Sequence, residues 1–557
     1  MNRGLAGTLC VVGLFLSCAA PSRATAPAQD VAGARRSSSY SELVALFADW
    51  RAFQKPKVVE GVPDYTSAAM AAQARELASY RQRLEAIDPR GWPIPEQVDY
   101  HLLRAELNGL DFDHRVLRPW ARNPAFYVTV AGEETDQPAR EGPLALGTVE
   151  LWTARFPLDA AGAAALTAGL APLPALLQQA RLNLTGDARD LWVYGIRSLK
   201  EQGALLEELL PKTQAHPALA EAARRALDAN QSFVSWLEQQ APGKTGPSGI
   251  GVANYDWYLA NVQLLPYTWA DERALVEREL ARARAGLAIE EEKNRKLPPQ
   301  PPVASAAEHQ RRFGEGVTEY MAFLAREDVL TIRPDMDPAL RTHVGHYNEK
   351  RPLEFFTEVD YRDPVLLRTH GYHWFDLARM EHDPHPSPLR RGALLYNLFD
   401  SRTEGFATAM EELMMHRGLV DARPRSRELV YILLAQRGAR ALGDLRMQSN
   451  ELSLEQAARF AAANTPRGWL RLEGGTVWGE QHLYLQQPGY GTSYVVGKVE
   501  FDKLIAARAQ QLGASFTLKQ VLDEMNGAGL IPVSLLRWQM TGKSDEVPGD
   551  GWPRPRQ

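Results

Sequence analysis

Cysteine is almost missing from this chain: two residues in 557, Cys10 and Cys18, both near the N-terminus. A chain this long buries a large core without disulfide or metal staples, since the buried share of surface rises with size to about three quarters near 300 residues. Any metal site is therefore functional rather than structural, and with so few thiolates it must rest on imidazole and carboxylate. Basic runs are missing too. Lys plus Arg number 63 against 68 Asp plus Glu, a formal charge of -5, which argues against nucleic acid as a partner. No apolar run beyond the N-terminal segment is expected to cross a membrane. No repeat of about 20 to 50 residues signals a solenoid. What remains, 45% hydrophobic, 9% aromatic and 24% charged, excludes disordered, collagen-like and coiled-coil classes.

The N-terminus reads as an export signal. Arg3 gives the positive region, residues 5–16 the short apolar stretch, and Ala24-Thr25-Ala26 a small-residue cleavage site. Cleavage after Ala26 removes both cysteines, so the mature protein, periplasmic or secreted, can form no internal disulfide. The alternative is lipoprotein processing, with Phe15-Leu16-Ser17-Cys18 as an imperfect lipobox and a lipid on Cys18 as the one membrane attachment.

Residues 27–39 are small and polar, as in a tether. From residue 40 the pattern is helical: 40–53, 66–87 with Thr66 as N-cap, and 95–110, then helix after helix over 160–240 and one long charged helix over 270–297. The prolines at 298, 299, 301 and 302 stop that helix. They divide an N-terminal helical region, 40–297, from a C-terminal one, 303–545, unless both belong to one continuous fold. The second region predicts helices over 305–326, 364–380, 390–416, 426–446, 454–463, 494–512 and 518–525. Residues 124–129 are the best strand. The fold class is mainly α, with a few short strands.

Histidine is concentrated where chemistry can sit. Eight of twelve lie between His343 and His482, and six form the His-x-x-His pairs His343/His346, His370/His373 and His382/His385. Residues three apart share a helix face, so two imidazoles can reach one ion if a third ligand arrives from elsewhere. Only the middle pair has an apolar helical framework, with Asp376 three residues further on. The next helix carries Glu404 and Glu411, two turns apart on one face. His370, His373 and Glu404 thus satisfy the minimum for a zinc site of two imidazoles and one carboxylate with a position open to water. Two other motifs are incomplete. Gly243-Lys244-Thr245 lacks the leading glycine of a phosphate loop, and no Gly-x-Ser-x-Gly elbow occurs.

The segment Thr403-Glu404-Gly405-Phe406-Ala407 through Glu411-Glu412-Leu413 resembles the Glu-Gly-Trp-Ala…Glu-x-Leu motif of the bacterial domain of unknown function 885 family, zincin-like helical proteins. Pro488-Gly489-Tyr490, followed by Tyr494 and Gly497, and the stretch from Asn254 to Trp269 are similar to further family elements. The resemblance implies a zincin-like, exported, zinc-dependent peptidase acting on a peptide or other small amide. The family's His-Glu-x-x-Pro-Gly-His-His signature is altered, however. Pro-Gly-His-His falls on His370-Gly371-Tyr372-His373, and His-Glu falls on Leu366-Leu367. Either His370 has taken over a ligand role, or the scaffold has lost its metal and binds peptides or another partner without cleaving them. A hydrolase needs a metal, a carboxylate to take a proton from water, and a donor for the oxyanion. The expectations are His370, His373 and Glu404 for the metal, Glu411 or Asp376 for the base, and Tyr494 for the donor.

Overall fold

A computed structural model describes residues 39–138 and 146–547; the export segment, most of the tether and both cysteines lie outside them. Apolar spacing and capping account for most of what it contains, 22 α-helices among the described residues. Helix Tyr40–Phe53 buries Leu43, Leu46 and Trp50, one stripe at helical spacing, and Ser39 with Glu42 closes a capping box at its start. Thr66 caps Ser67–Glu85 by accepting from the Ala69 amide, and Ser305 does the same for Ala306–Arg326. Each fully buried Leu or Phe contributes about 1.5–3 kcal/mol, so stripes like these determine which face turns inward.

Among the described residues strand is confined to two ladders of two residue pairs each, Val58–Val59 antiparallel to Val62–Pro63 and Val130–Ala131 parallel to Val149–Glu150. Residues 124–129 do not form the expected strand. Asn123 accepts from the Ala125 amide and starts a 3-10 turn, Pro124–Tyr127, whose side chains are all buried. Local capping outweighs the β-forming side chains.

Four helices between 160 and 240 wrap a core that includes Trp192, Leu199 and Phe233. Residues 160–183 correct one expectation, since by length and composition they are apolar enough to cross a membrane. They form two helices, Ala160–Leu170 and Leu173–Asn183, broken at Ala171-Pro172, and each packs on Pro217–Gln240. Helix Trp269–Asn294 starts in a Thr268/Asp271 capping box and ends before the prolines. The largest apolar cluster continues across them, from Val98 to Leu536.

Five helices carry the site: α1 (Pro364–His370), α2 (Tyr372–His382), α3 (Asp400–His416), α4 (Arg425–Gln448) and α5 (Tyr490–Leu512). Three boundaries differ from expectation, one of them the start of α5, which lies at Tyr490 rather than 494. The single helix over 364–380 breaks at Gly371, and residues 390–399 stay out of α3. Helices α3 and α5 approach closely because Gly405 faces Gly497, and a Cβ on either glycine would collide with the other helix's backbone. Glu412 bridges outward from α3 to Arg282 at 2.6 Å and to Lys498 at 3.0 Å.

Candidate metal centre

His370 ends α1 and His373 lies in the first turn of α2, so the break at Gly371, rather than one continuous helix face, brings the two rings together. Their centroids are 5.0 Å apart and nearly perpendicular. Glu404 projects from α3 between them. His373 Nε2 stands 3.3 Å from Glu404 Oε2, and His370 Nε2 stands 3.8 Å from the same oxygen. One ligand atom from each of the three residues lies within 4.8 Å of the others, the one such His/Cys/Asp/Glu cluster among the described residues.

The other atoms of these side chains are already engaged. Glu404 Oε1 accepts from Tyr490 at 2.6 Å, from Gln137 at 3.0 Å and from Tyr494 at 3.0 Å. Glu404 Oε2 and His373 Nε2 are buried and carry no hydrogen bond. His370 Nδ1 lies 3.1 Å from Arg437 Nη2 and 3.2 Å from Glu411 Oε1, a buried pair that holds the ring with Nε2 toward Glu404. Two atoms bound to a tetrahedral zinc sit about 3.3 Å apart, from bond lengths of about 2.0–2.1 Å. The donor set and its orphaned atoms therefore fit a divalent ion with small movements.

Electrostatics follow from the same contacts. Burial alone raises a carboxyl, yet the His373 charge, with His370 and the Tyr490 hydrogen bond behind it, holds Glu404 down at about 2. Burial lowers an imidazole, but the Asp136 and Glu404 carboxylates outweigh it and lift His373 to about 9. His370 moves the other way, lowered by burial and by the Arg437 guanidinium. Without metal the trio is an ion pair plus one neutral imidazole.

Three expected roles change. Both oxygens of Glu411 accept from Arg437 at 2.7 Å, and Arg437 with His370 outweighs burial to hold its carboxyl below the usual range. Glu411 is therefore a clamped carboxylate rather than a free base. Asp376 is paired on both oxygens with Arg402 at 3.0 Å, which removes it as a base as well. The Tyr494 hydroxyl donates to Glu404 Oε1 at 3.0 Å, so it is already engaged. The other histidine pairs stay apart from the centre. His343 stacks on Trp374 with centroids 3.4 Å apart, and His385 accepts from the Ser387 amide.

Sequence reasoning missed the segment that closes the site from the opposite end of the chain. Gln137 binds Glu404, Thr403 and the His373 ring, and Asp136 acts on His373 ahead of Glu404 itself. The acidic run Glu133-Glu134-Thr135-Asp136 directly after a strand was the available signal.

Residues 373–540 match the model of a family described as bacterial proteins of unknown function, DUF885; the match takes in His373, Glu404, Tyr490 and Tyr494 and stops short of His370. No curated protein matches. Two solved structures share the fold. One, described as "a putative lipoprotein of unknown function" from Shewanella oneidensis, is 16% identical with TM-score 0.67, and the alignment covers 90% of this chain and 100% of that one. The other, "the putative lipoprotein" from Colwellia psychrerythraea, is 14% identical with TM-score 0.60, covering 91% and 99%.

Proposed function

We propose that this protein is an exported, metal-dependent hydrolase of peptides or related small amides, of zincin-like architecture, with His370, His373 and Glu404 holding zinc. The observation that carries the reading is the pair of buried, unbonded atoms, His373 Nε2 and Glu404 Oε2, converging with His370 Nε2 while every other polar atom of the trio has a partner from the surrounding protein. These two atoms face only each other, at 3.3 Å, and a divalent ion there would give both a bond together with His370 Nε2.

Zinc bound there supplies a Lewis acid and lowers the pKa of a coordinated water. The chain's own residues do the rest. Glu411, anchored by Arg437, orients the His370 ring; Tyr490, Tyr494 and Gln137 aim Glu404 Oε2 by occupying Oε1. Asp136 is the carboxylate assigned to proton transfer, because it is half-buried beside His373 and no arginine among the described residues clamps it. In this reading His370 replaces the ligand that the altered family signature lacks.

A second reading, a scaffold that binds peptides without cleaving them, is favoured by one observation: both acids expected as bases, Glu411 and Asp376, are held by arginines. A mixed peptide library separates the two. Chelator-sensitive cleavage, absent in Glu404→Ala, supports the hydrolase; retention of peptides without cleavage at full metal occupancy supports the binder.

Export belongs to the same proposal and rests on the N-terminal segment, with the lipoprotein descriptions of the two structural relatives in support. Cell fractionation, with Cys18→Ser compared for lipid labelling, distinguishes a soluble product from an anchored one.

A further inference from the structure

A cavity of about 330 Å³ adjoins the candidate metal centre, and Gln137 and Tyr490, two of the three donors to Glu404 Oε1, form part of its wall. Its volume matches the small end of ligand pockets, roughly 300–1,000 Å³. Much of the remaining lining is aromatic: Tyr65, Trp120, Phe126, Tyr258 and Tyr396. Asp113 stands among them.

The position of Asp113 follows from its element. Helix Ile94–Phe112 ends on buried Phe112, and the chain continues into one wide turn, Asp113–Leu117, closed by Arg118 at φ 44. That turn places Asp113 on the cavity wall. Burial is the whole cause of its carboxyl's rise to about 7, and among the described residues no hydrogen bond or counter-charge offsets it. Its charge also acts on the hydroxyls of Tyr258 and Tyr396, which burial and then Asp113 push up. The other acid on the wall, Asp400, has a partner of its own, and the lysine on the wall, Lys55, is exposed.

A carboxylate with no counter-ion, surrounded by aromatic faces, is the arrangement that recognises organic cations, because ring quadrupoles and the negative charge attract the same group. We propose that this cavity is a subsite for a cationic side chain, the ammonium of lysine or the guanidinium of arginine, presented by a peptide whose amide bond lies at the metal centre. The cation pairs with Asp113 and sits against the aromatic rings. The assignment of that cation to a substrate rests on the hydrolase reading; the binding itself does not.

Benzylamine and benzyl alcohol are a matched cation and neutral probe. Ligand-observed NMR titration of the purified protein at pH 8, with and without chelator, is expected to show benzylamine binding about tenfold tighter than benzyl alcohol. Asp113→Asn is expected to bring the ratio to about one, and Asp113→Glu to retain a preference for the cation. Equal affinities in the wild type, or a preference that survives Asp113→Asn, overturn the proposal. The wild-type comparison needs no variant to fold. Cation preference that persists in chelator, in a protein that cleaves no peptide, keeps the subsite and removes the hydrolase. Cleavage with no enrichment for Lys or Arg near the scissile bond keeps the hydrolase and removes the subsite.

Discussion

Replacing Glu411 with glutamine tests whether this carboxylate organises the centre. Glu411 receives two Arg437 bonds at 2.7 Å and faces His370 Nδ1 at 3.2 Å, with the Arg437 and Glu411 side chains 1% and 2% exposed. Glu411→Gln keeps the volume but leaves a buried guanidinium without a counter-ion. Removing one partner of a buried pair costs about 3–5 kcal/mol. Glutamine still accepts one Arg437 bond, so the expected loss is at the lower end, about 3 kcal/mol. Urea unfolding followed by circular dichroism measures it. A Glu411→Leu/Arg437→Met double variant removes both charges and is expected to return to within about 1 kcal/mol of wild type, since apolar replacement of a whole buried pair is often neutral. Zinc affinity is expected to fall about 10–100-fold in either variant, because the partner that orients His370 is gone. A loss under about 1 kcal/mol in Glu411→Gln, or a double variant no more stable than the single, refutes this account of the Glu411 pair.

Gly405→Ala is expected to destabilise by about 1–3 kcal/mol or more and to weaken zinc binding, because the added methyl drives α3 away from Gly497 and the tyrosines of α5; an unchanged melting curve contradicts it. Tyr490→Phe is expected to cost more stability than Tyr494→Phe, about 1.5–3 kcal/mol for a bond to a charged acceptor, given 2.6 Å against 3.0 Å; equal melting temperatures count against the ordering. Burial, with Arg104 and Arg197 behind it, pushes His101 and His482 down to about 3, against about 6.5 in the unfolded chain. The unfolded state takes up these protons first, so their stability contribution is complete above about pH 6.5 and is lost as pH falls toward 3, by about 1.4 kcal/mol per unit for each. His482→Gln is expected to flatten the decline of melting temperature with acid, and an unaltered slope counts against it.

Most helices were legible because their signals are local. Thr66, Ser305 and Thr268 mark helix starts, and apolar spacing identifies the buried stripe at Leu43, Leu46 and Trp50. Glu404 and the His370/His373 pair were legible as residue types on neighbouring elements. Their joining at Gly371 was not, since the helix break is a tertiary outcome. The clamps were hidden for the same reason: nothing local to Arg402 or Arg437 marks either as paired, yet burial makes each the fixed partner of an acid. Gln137 reaches Glu404 across 267 residues of chain, a contact that spacing cannot disclose. Tyr490 stands beside a recognised Pro-Gly turn, and only the close packing of α3 on α5 identifies it as the shorter of the two tyrosine bonds to Glu404.

The central claim is that His370, His373 and Glu404 hold one metal ion. Elemental analysis of the purified protein, beside His370→Ala, His373→Ala and Glu404→Ala, tests it most directly. About one zinc per chain in the wild type, with marked loss in every variant that still folds, is the predicted result. Substoichiometric metal, unchanged by all three substitutions, contradicts it.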